Sequence, residues 1–219
     1  VQREAVPGKV QIEPVVTKAT EVNFESGDKI GITMTKVNGA EAYADNAALT
    51  FDGTVFSGDL KWYADAYSEA DVYAYYPYNA NGTPAAYAAV LDQTAGIAQA
   101  DFMAAAKKGV LPTPNAITMV FKHLMTKIVV NIDNQSEADV TAVKILGGDA
   151  ACEIDLPNLA VLPASGAMST ELTEITAYEA TAGKVWKAIV IPQTVKLSVE
   201  VSLSNGKKIT QPLAEMTLK

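Results

Sequence analysis

The sequence predicts an all-β protein of the sandwich type. Three observations carry this. Apolar residues recur at every second position along much of the chain, the spacing of a strand with one buried face. Turn dipeptides (Asn38-Gly39, Asp52-Gly53, Asn81-Gly82 and Asn205-Gly206) separate those runs. Prolines cut the remainder into short pieces that suit strands and their ends. Many short strands between turn signals describe antiparallel sheets packed face to face.

Taken in order, Val10 and Ile12 alternate with polar neighbours and begin a first strand. Ser26-Gly27-Asp28 reads as a tight turn, with Gly27 supplying positive φ and Asp28 bonding a nearby backbone N–H. Ile30, Ile32 and Met34 then alternate with Gly31 and Thr33. In Asp71-Val-Tyr-Ala-Tyr-Tyr-Pro-Tyr78, Tyr73 and Tyr75 share one face. Pro77 cannot donate to a ladder, so this strand ends there or lies at an edge. Ala85–Ala106 is rich in alanine, yet its apolar residues keep no 3.6 repeat and Gly96 interrupts it. Irregular structure is expected there, with one helical turn near 101–106. Pro112 and Pro114 mark a loop.

Ile117, Met119 and Phe121 form the next alternating run, then Ile128, Val130 and Ile132. Cys152 reads as a small buried apolar residue in a strand. Pro192 ends a strand over Trp186–Ile191. Leu197, Val199, Val201 and Leu203 alternate up to Asn205-Gly206, which predicts a two-residue hairpin and a return strand over Lys207–Thr210.

Composition narrows the function. At 219 residues the chain buries one large core or two smaller ones. Its net charge of −8 repels phosphate backbones and anionic lipid, which excludes nucleic acid and membrane surfaces as partners. No apolar run approaches the ~20 residues that span a bilayer. Arg3 is the one arginine among seventeen Lys and Arg residues, so bidentate anion recognition is disfavoured. Cys152 has no second cysteine to pair with, which rules out an intrachain disulfide and a CxxC metal site. The chain begins at Val1 without a signal segment, as a mature secreted form or a trimmed one would.

Catalytic and metal-binding patterns are thin. Any Ser-His-Asp arrangement must use His123, the sole histidine, which sits on the Ile117–Phe121 face. A core or strand-end histidine explains it better. Asp59, Asp65, Glu69 and Asp71 lie close in sequence, but they lack the alternate carboxylates and sixth-position glycine of a calcium loop. Solvated strand ends explain them better. No enzyme activity and no cofactor are therefore expected. The strongest rival signal is aromatic. Trp62, Tyr63 and Tyr67, ahead of the tyrosines at 73, 75, 76 and 78, could stack on sugar rings, although core packing claims many such rings.

Four segments, in this order, carry a family resemblance. They are Phe24-Glu-Ser-Gly-Asp-Lys-Ile-Gly-Ile32, Asp71–Tyr78, Asp101-Phe-Met-Ala104 and Phe121-Lys-His-Leu-Met-Thr-Lys-Ile-Val-Val-Asn-Ile132. Their order and spacing resemble the fimbrillin-like proteins of Bacteroidales, the type V pilin superfamily. The likeness spans about Thr17–Ile132 and returns at Ala188–Gln193. It implies two tandem transthyretin-like β-sandwich domains, here residues 1–126 and 127–219. It also implies a structural or adhesive subunit of a cell-surface fimbria, exported as a lipoprotein precursor to the outer membrane. Its partners would be other pilin subunits, assembled by protease-triggered donor-strand exchange, with host protein or glycan as a further partner. A surface module binding glycan or protein is the alternative.

In such pilins a protease removes an N-terminal strand. The matching segment is Val16-Thr17-Lys18-Ala19-Thr20, so the cut would fall between Lys18 and Ala19, with Val10 and Ile12 in the removable strand. Lysine stands where the family has arginine, which argues against an arginine-specific protease. Members of the family continue past a segment like Leu213–Leu218 into a Gly-x-x-Tyr-x-Tyr strand. The chain stops at Lys219, so the second sandwich is expected to lack its last strand.

Overall fold

A computed structural model of the chain describes residues 8–16, 24–36, 42–163 and 173–219. These form nineteen strands and one short 3-10 turn. In chain order the strands begin with β1 (Lys9–Val16), β2 (Lys29–Lys36), β3 (Ala42–Phe51), β4 (Phe56–Lys61), β5 (Ala70–Tyr76) and β6 (Ala86–Ala88). There follow β7 (Met103–Val110), β8 (Ile117–His123), β9 (Thr126–Asn131), β10 (Val140–Leu146), β11 (Ala151–Asp155), β12 (Ala160–Pro163) and β13 (Glu174–Thr176). The last are β14 (Tyr178–Thr181), β15 (Val185–Val190), β16 (Thr194–Val195), β17 (Ser198–Leu203), β18 (Lys208–Pro212) and β19 (Met216–Thr217).

The backbone divides into two compact units. The first comprises Val1–Ala85, Phe102–His123 and Asp155–Ala160, the second Ala86–Asp101, Leu124–Ile154 and Val161–Lys219. A single cut near residue 126 does not describe this division, because 86–101 joins the second unit. There β6 pairs with β11, and Gln93 N donates to Thr176 O at 3.0 Å.

In the first unit seven strands form a closed ring in the order β1-β4-β3-β2-β5-β7-β8, with β1 and β8 completing it. The strand pairing therefore runs unbroken around the unit. Closure removes the free edges that would template aggregation. The alternating residues of the sequence reading fill the interior: Val10, Ile12, Ile30, Ile32, Met34, Ile117, Met119 and Phe121 are all buried there. Phe24, the first residue of the Phe24–Ile32 segment, packs against four aromatic rings. Their centroids lie 4.9 Å (Phe56), 5.2 Å (Phe121), 5.4 Å (Tyr76) and 6.0 Å (Phe51) away. The turn behind it forms as expected: Gly27 has φ 101° and Glu25 N donates to Asp28 Oδ2 at 2.8 Å.

Strand β5 ends at Tyr76, immediately before Pro77. Tyr76 points into the barrel core, while Tyr75 lies on the opposite face, stacked on Phe102 at 5.8 Å and 9°. The alanine-rich segment departs from expectation. Its 3-10 turn falls at Ala98–Ala100, and Met103–Val110 is a strand where a helical turn was expected. Pairing with both β5 and β8 outweighs the helical preference of alanine.

The second unit buries Val143, Ile145, Ile175, Ala177, Trp186 and Ala188 in its own core. The four-stranded sheet β13-β10-β17-β18 and the three-stranded sheet β14-β15-β9 supply most of that core; the remaining strands pair as β12-β11-β6 and β16-β19. Leu197, Val199 and Leu203 are buried as the alternation requires, but Val201 is only partly covered. It pairs with Ile209 on the exposed edge strand β18, where apolar cover runs out. Val199→Asp is therefore expected to unfold this unit, whereas Val201→Asp costs markedly less. Equal loss of thermal stability in the two variants would refute that reading.

The hairpin has a three-residue loop instead of two. Leu203 N bonds Lys207 O, Gly206 has φ 83°, and Asn205 keeps an ordinary φ, as in a type I turn followed by a left-handed glycine.

Gln93 holds an open stretch of β15. Its side chain accepts from Ile189 N at 2.8 Å and donates to Ile189 O at 2.8 Å and Val90 O at 3.0 Å, acting as a one-residue strand. It is 1% exposed. Gln93→Leu is expected to destabilise the second unit by about 3 kcal/mol, because buried backbone groups lose their partners. A change below about 1 kcal/mol in chemical denaturation, the size of an ordinary hydrogen bond, would show that water replaces the amide.

Candidate functional site: the strand that closes the first unit

Strand β1 is the first described element and the ring's closing member. Its amino-terminal half runs antiparallel to β4, with Lys9 opposite Lys61, Gln11 opposite Ser57 and Ile12 opposite Phe56. Its carboxy-terminal half runs parallel to β8, pairing Ile12 with Ile117 and continuing to Val16 with Phe121. Ile12 thus belongs to both ladders. Val10 and Ile12 are fully buried, as are Phe56 and Phe121 beneath them.

Two fully buried aliphatic side chains stabilise this seating by about 1.5–3 kcal/mol each through burial. Outward-facing contacts add less. Lys9 Nζ lies 3.6 Å from Asp59, both side chains well exposed, and Thr118 Oγ1 donates to Glu13 at 3.0 Å. Such surface pairs contribute little. Trp62 N donates to Gly8 O at 3.0 Å, extending the β4 side by one bond. Ladder hydrogen bonds and the burial of Val10 and Ile12 therefore outweigh these surface contacts in holding the strand.

Lys18 and Ala19, the candidate processing site, lie outside the described residues. The aromatic candidates do not form a platform. Trp62 and Tyr63 are 5% and 7% exposed and belong to the barrel core, while Tyr67 is 59% exposed. Tyr63 meets Tyr43 edge-on at 5.0 Å and Trp62 at 5.9 Å, and Lys36 Nζ lies 4.1 Å from its ring centroid. Sugar stacking needs an exposed ring, and of the three only Tyr67 is exposed.

His123 ends β8 opposite Met103 in the barrel wall. Asp65 accepts from Tyr67 N at 2.8 Å and from the Ser68 hydroxyl, which lowers its pKa. It closes a turn. Among the described residues no group of three or more His, Cys, Asp or Glu side chains could hold a metal ion, and no helix is long and apolar enough to cross a membrane.

Cys152 is buried in β11, and burial pushes its thiol up to about 11. At pH 8 it stays protonated, so alkylation of the folded chain should be slow and should accelerate on unfolding. Rapid labelling of the native protein would contradict that burial.

Sequence reasoning found the two buried residues of β1 from their alternation. It missed that Ile12 bridges two strands, because parallel pairing across about a hundred residues leaves no local signal.

The family model described as fimbrillin-like matches residues 17–219, and the chain belongs to that family. Its solved neighbours show the same fold. A candidate cell-adhesion protein from Bacteroides ovatus is 23% identical with a TM-score of 0.75, covering 99% of this chain and 89% of that one. One from Bacteroides uniformis is 22% identical with a TM-score of 0.68, covering 93% and 85%. The tip fimbrial protein Mfa3 from Porphyromonas gingivalis, with a C-terminal truncation, is 8% identical with a TM-score of 0.55, covering 95% and 81%. No functionally curated protein matches the chain.

Proposed function

We propose that this protein is a structural or adhesive fimbrial subunit that assembles by exchange of β1 for an extended strand of another subunit. The supporting observation is the seating of β1: it completes the ring, pairs with β4 on one side and β8 on the other, and buries Val10 and Ile12 at full depth. Its removal would leave unpaired edges on β4 and β8 around an apolar slot, which backbone hydrogen bonds and alternate side chains of a second strand can fill. A contact of this kind is head-to-tail and does not close, so it builds a filament.

Residues 1–18 would be the segment removed, with the cut between Lys18 and Ala19. The finer architecture of the family, two tandem transthyretin-like sandwiches, belongs to the same reading. The exposed edge of β18 is where the second would take its further strand. A cell-surface, outer-membrane location and a lipoprotein precursor complete the proposal.

Limited trypsin digestion tests it. Cleavage after Lys18 should precede cleavage at other lysines, and the freed segment should then exchange with an excess of labelled Lys9–Val16 peptide. Retention of the original strand against that excess, or early loss of the fold through other lysines, would count against the slot.

A further inference from the structure

We infer that the strand which replaces β1 enters with the opposite polarity, antiparallel to β8 and parallel to β4. This rests on the strand-exchange reading above and specifies its partner. The ring has seven strands, and each neighbouring pair is antiparallel except β1 with β8. An odd number of strands cannot close with antiparallel pairs throughout. One parallel seam is obligatory, and the polarity of the closing strand decides where it falls.

In the structure the seam lies on the longer ladder. Strand β1 pairs with β8 in parallel at five consecutive positions, Ile12–Val16 against Ile117–Phe121. Its antiparallel ladder with β4 has three positions and an irregularity between Lys9 and Gln11. Pro14 also lies in the five-position ladder, opposite Met119, and brings no N–H to it. Parallel pairing is the less stable arrangement per residue. A strand of reversed polarity moves the parallel seam to the short β4 ladder and makes the long β8 ladder antiparallel.

Reversal keeps the side-chain requirement. Alternation has a period of two in either direction, so apolar residues two apart still reach the pockets that Val10 and Ile12 fill. The partner is thus an extended segment with apolar residues at alternate positions, no proline on its β8 side, and entry from the Phe121 end.

The test uses a peptide with no built-in direction. A site for a sequence-specific protease is inserted within residues 17–23, the chain is cleaved, and β1 is exchanged in mild denaturant for Thr-Val-Thr-Val-Thr-Val-Thr carrying a nitroxide at its amino terminus. Amide signals are then compared at the two ends of the slot: Lys61, which faces Lys9, and Phe121, which faces Val16. Selective broadening of Phe121 is the expected result, and moving the nitroxide to the carboxy terminus should shift the broadening to Lys61. Broadening of Lys61 by the amino-terminal label would overturn the polarity while leaving strand exchange intact. Failure of the cleaved chain to take up either this peptide or Lys9–Val16 would overturn both.

Discussion

Replacing Ile12 with aspartate is expected to unseat β1 and leave the first unit largely unfolded. Ile12 is fully buried and is the residue where both ladders of the closing strand meet. Truncation to alanine alone should cost about 2–5 kcal/mol, the usual penalty for a large core side chain. Aspartate adds the desolvation of a carboxylate beside Phe56 and Ile117, and no cation is buried among the described residues to pair with it. Glu13→Gln, one position on and outward-facing, should change little because it keeps an acceptor for Thr118. Urea denaturation of the three variants measures the effect. An Ile12→Asp protein with wild-type stability would mean that β1 does not occupy the slot in solution.

Gly31→Ala is expected to be nearly as damaging, although the change is one methyl group. An added Cβ would fall 2.1 Å from Tyr75 Cε1 and 2.5 Å from Cζ, far inside contact distance. The ring cannot step aside. Its hydroxyl donates to Asn46 Oδ1 and accepts from Asn79 N at 3.1 Å, and its face is stacked on Phe102. Overpacking of this kind costs about 1–3 kcal/mol, at the upper end where the neighbour is fixed. The pair should be strongly non-additive: Tyr75→Leu in the Gly31→Ala background should recover stability. Simple additivity in a double-mutant cycle would show that the two positions do not meet.

These two positions also show what the sequence makes legible. The burial of Ile12 and the strand nature of the Gly31 segment follow from two-residue alternation. The strands at 29–36, 70–76, 117–123 and 198–203 were readable for the same reason. The crossing of Tyr75 over Gly31 was not, because a glycine in a strand signals a close approach without naming the neighbour. Strand β7 was hidden because its alanines carry a helical preference that only the partners β5 and β8 overrule.

The candidate site was legible in its residues and opaque in its construction. Val10 and Ile12 stood out, yet the parallel ladder to β8 depends on a strand about a hundred positions away. For Trp62 and Tyr63 composition misled: aromatic side chains suit a sugar platform and a core equally, and only burial separates the two uses.

The order in which the chain is made bears on its assembly. Strand β1 must wait during synthesis for its parallel partner β8, which ends at His123. Gln93 waits longer still, for Ile189. Closing such long loops is slow, and unsatisfied edges stay open meanwhile. A growing chain therefore carries, for a time, a free β1 without its parallel partner. Neighbouring copies at high local concentration can trade β1 before either ring has closed, so slow release or a holding factor would favour monomers over tangles.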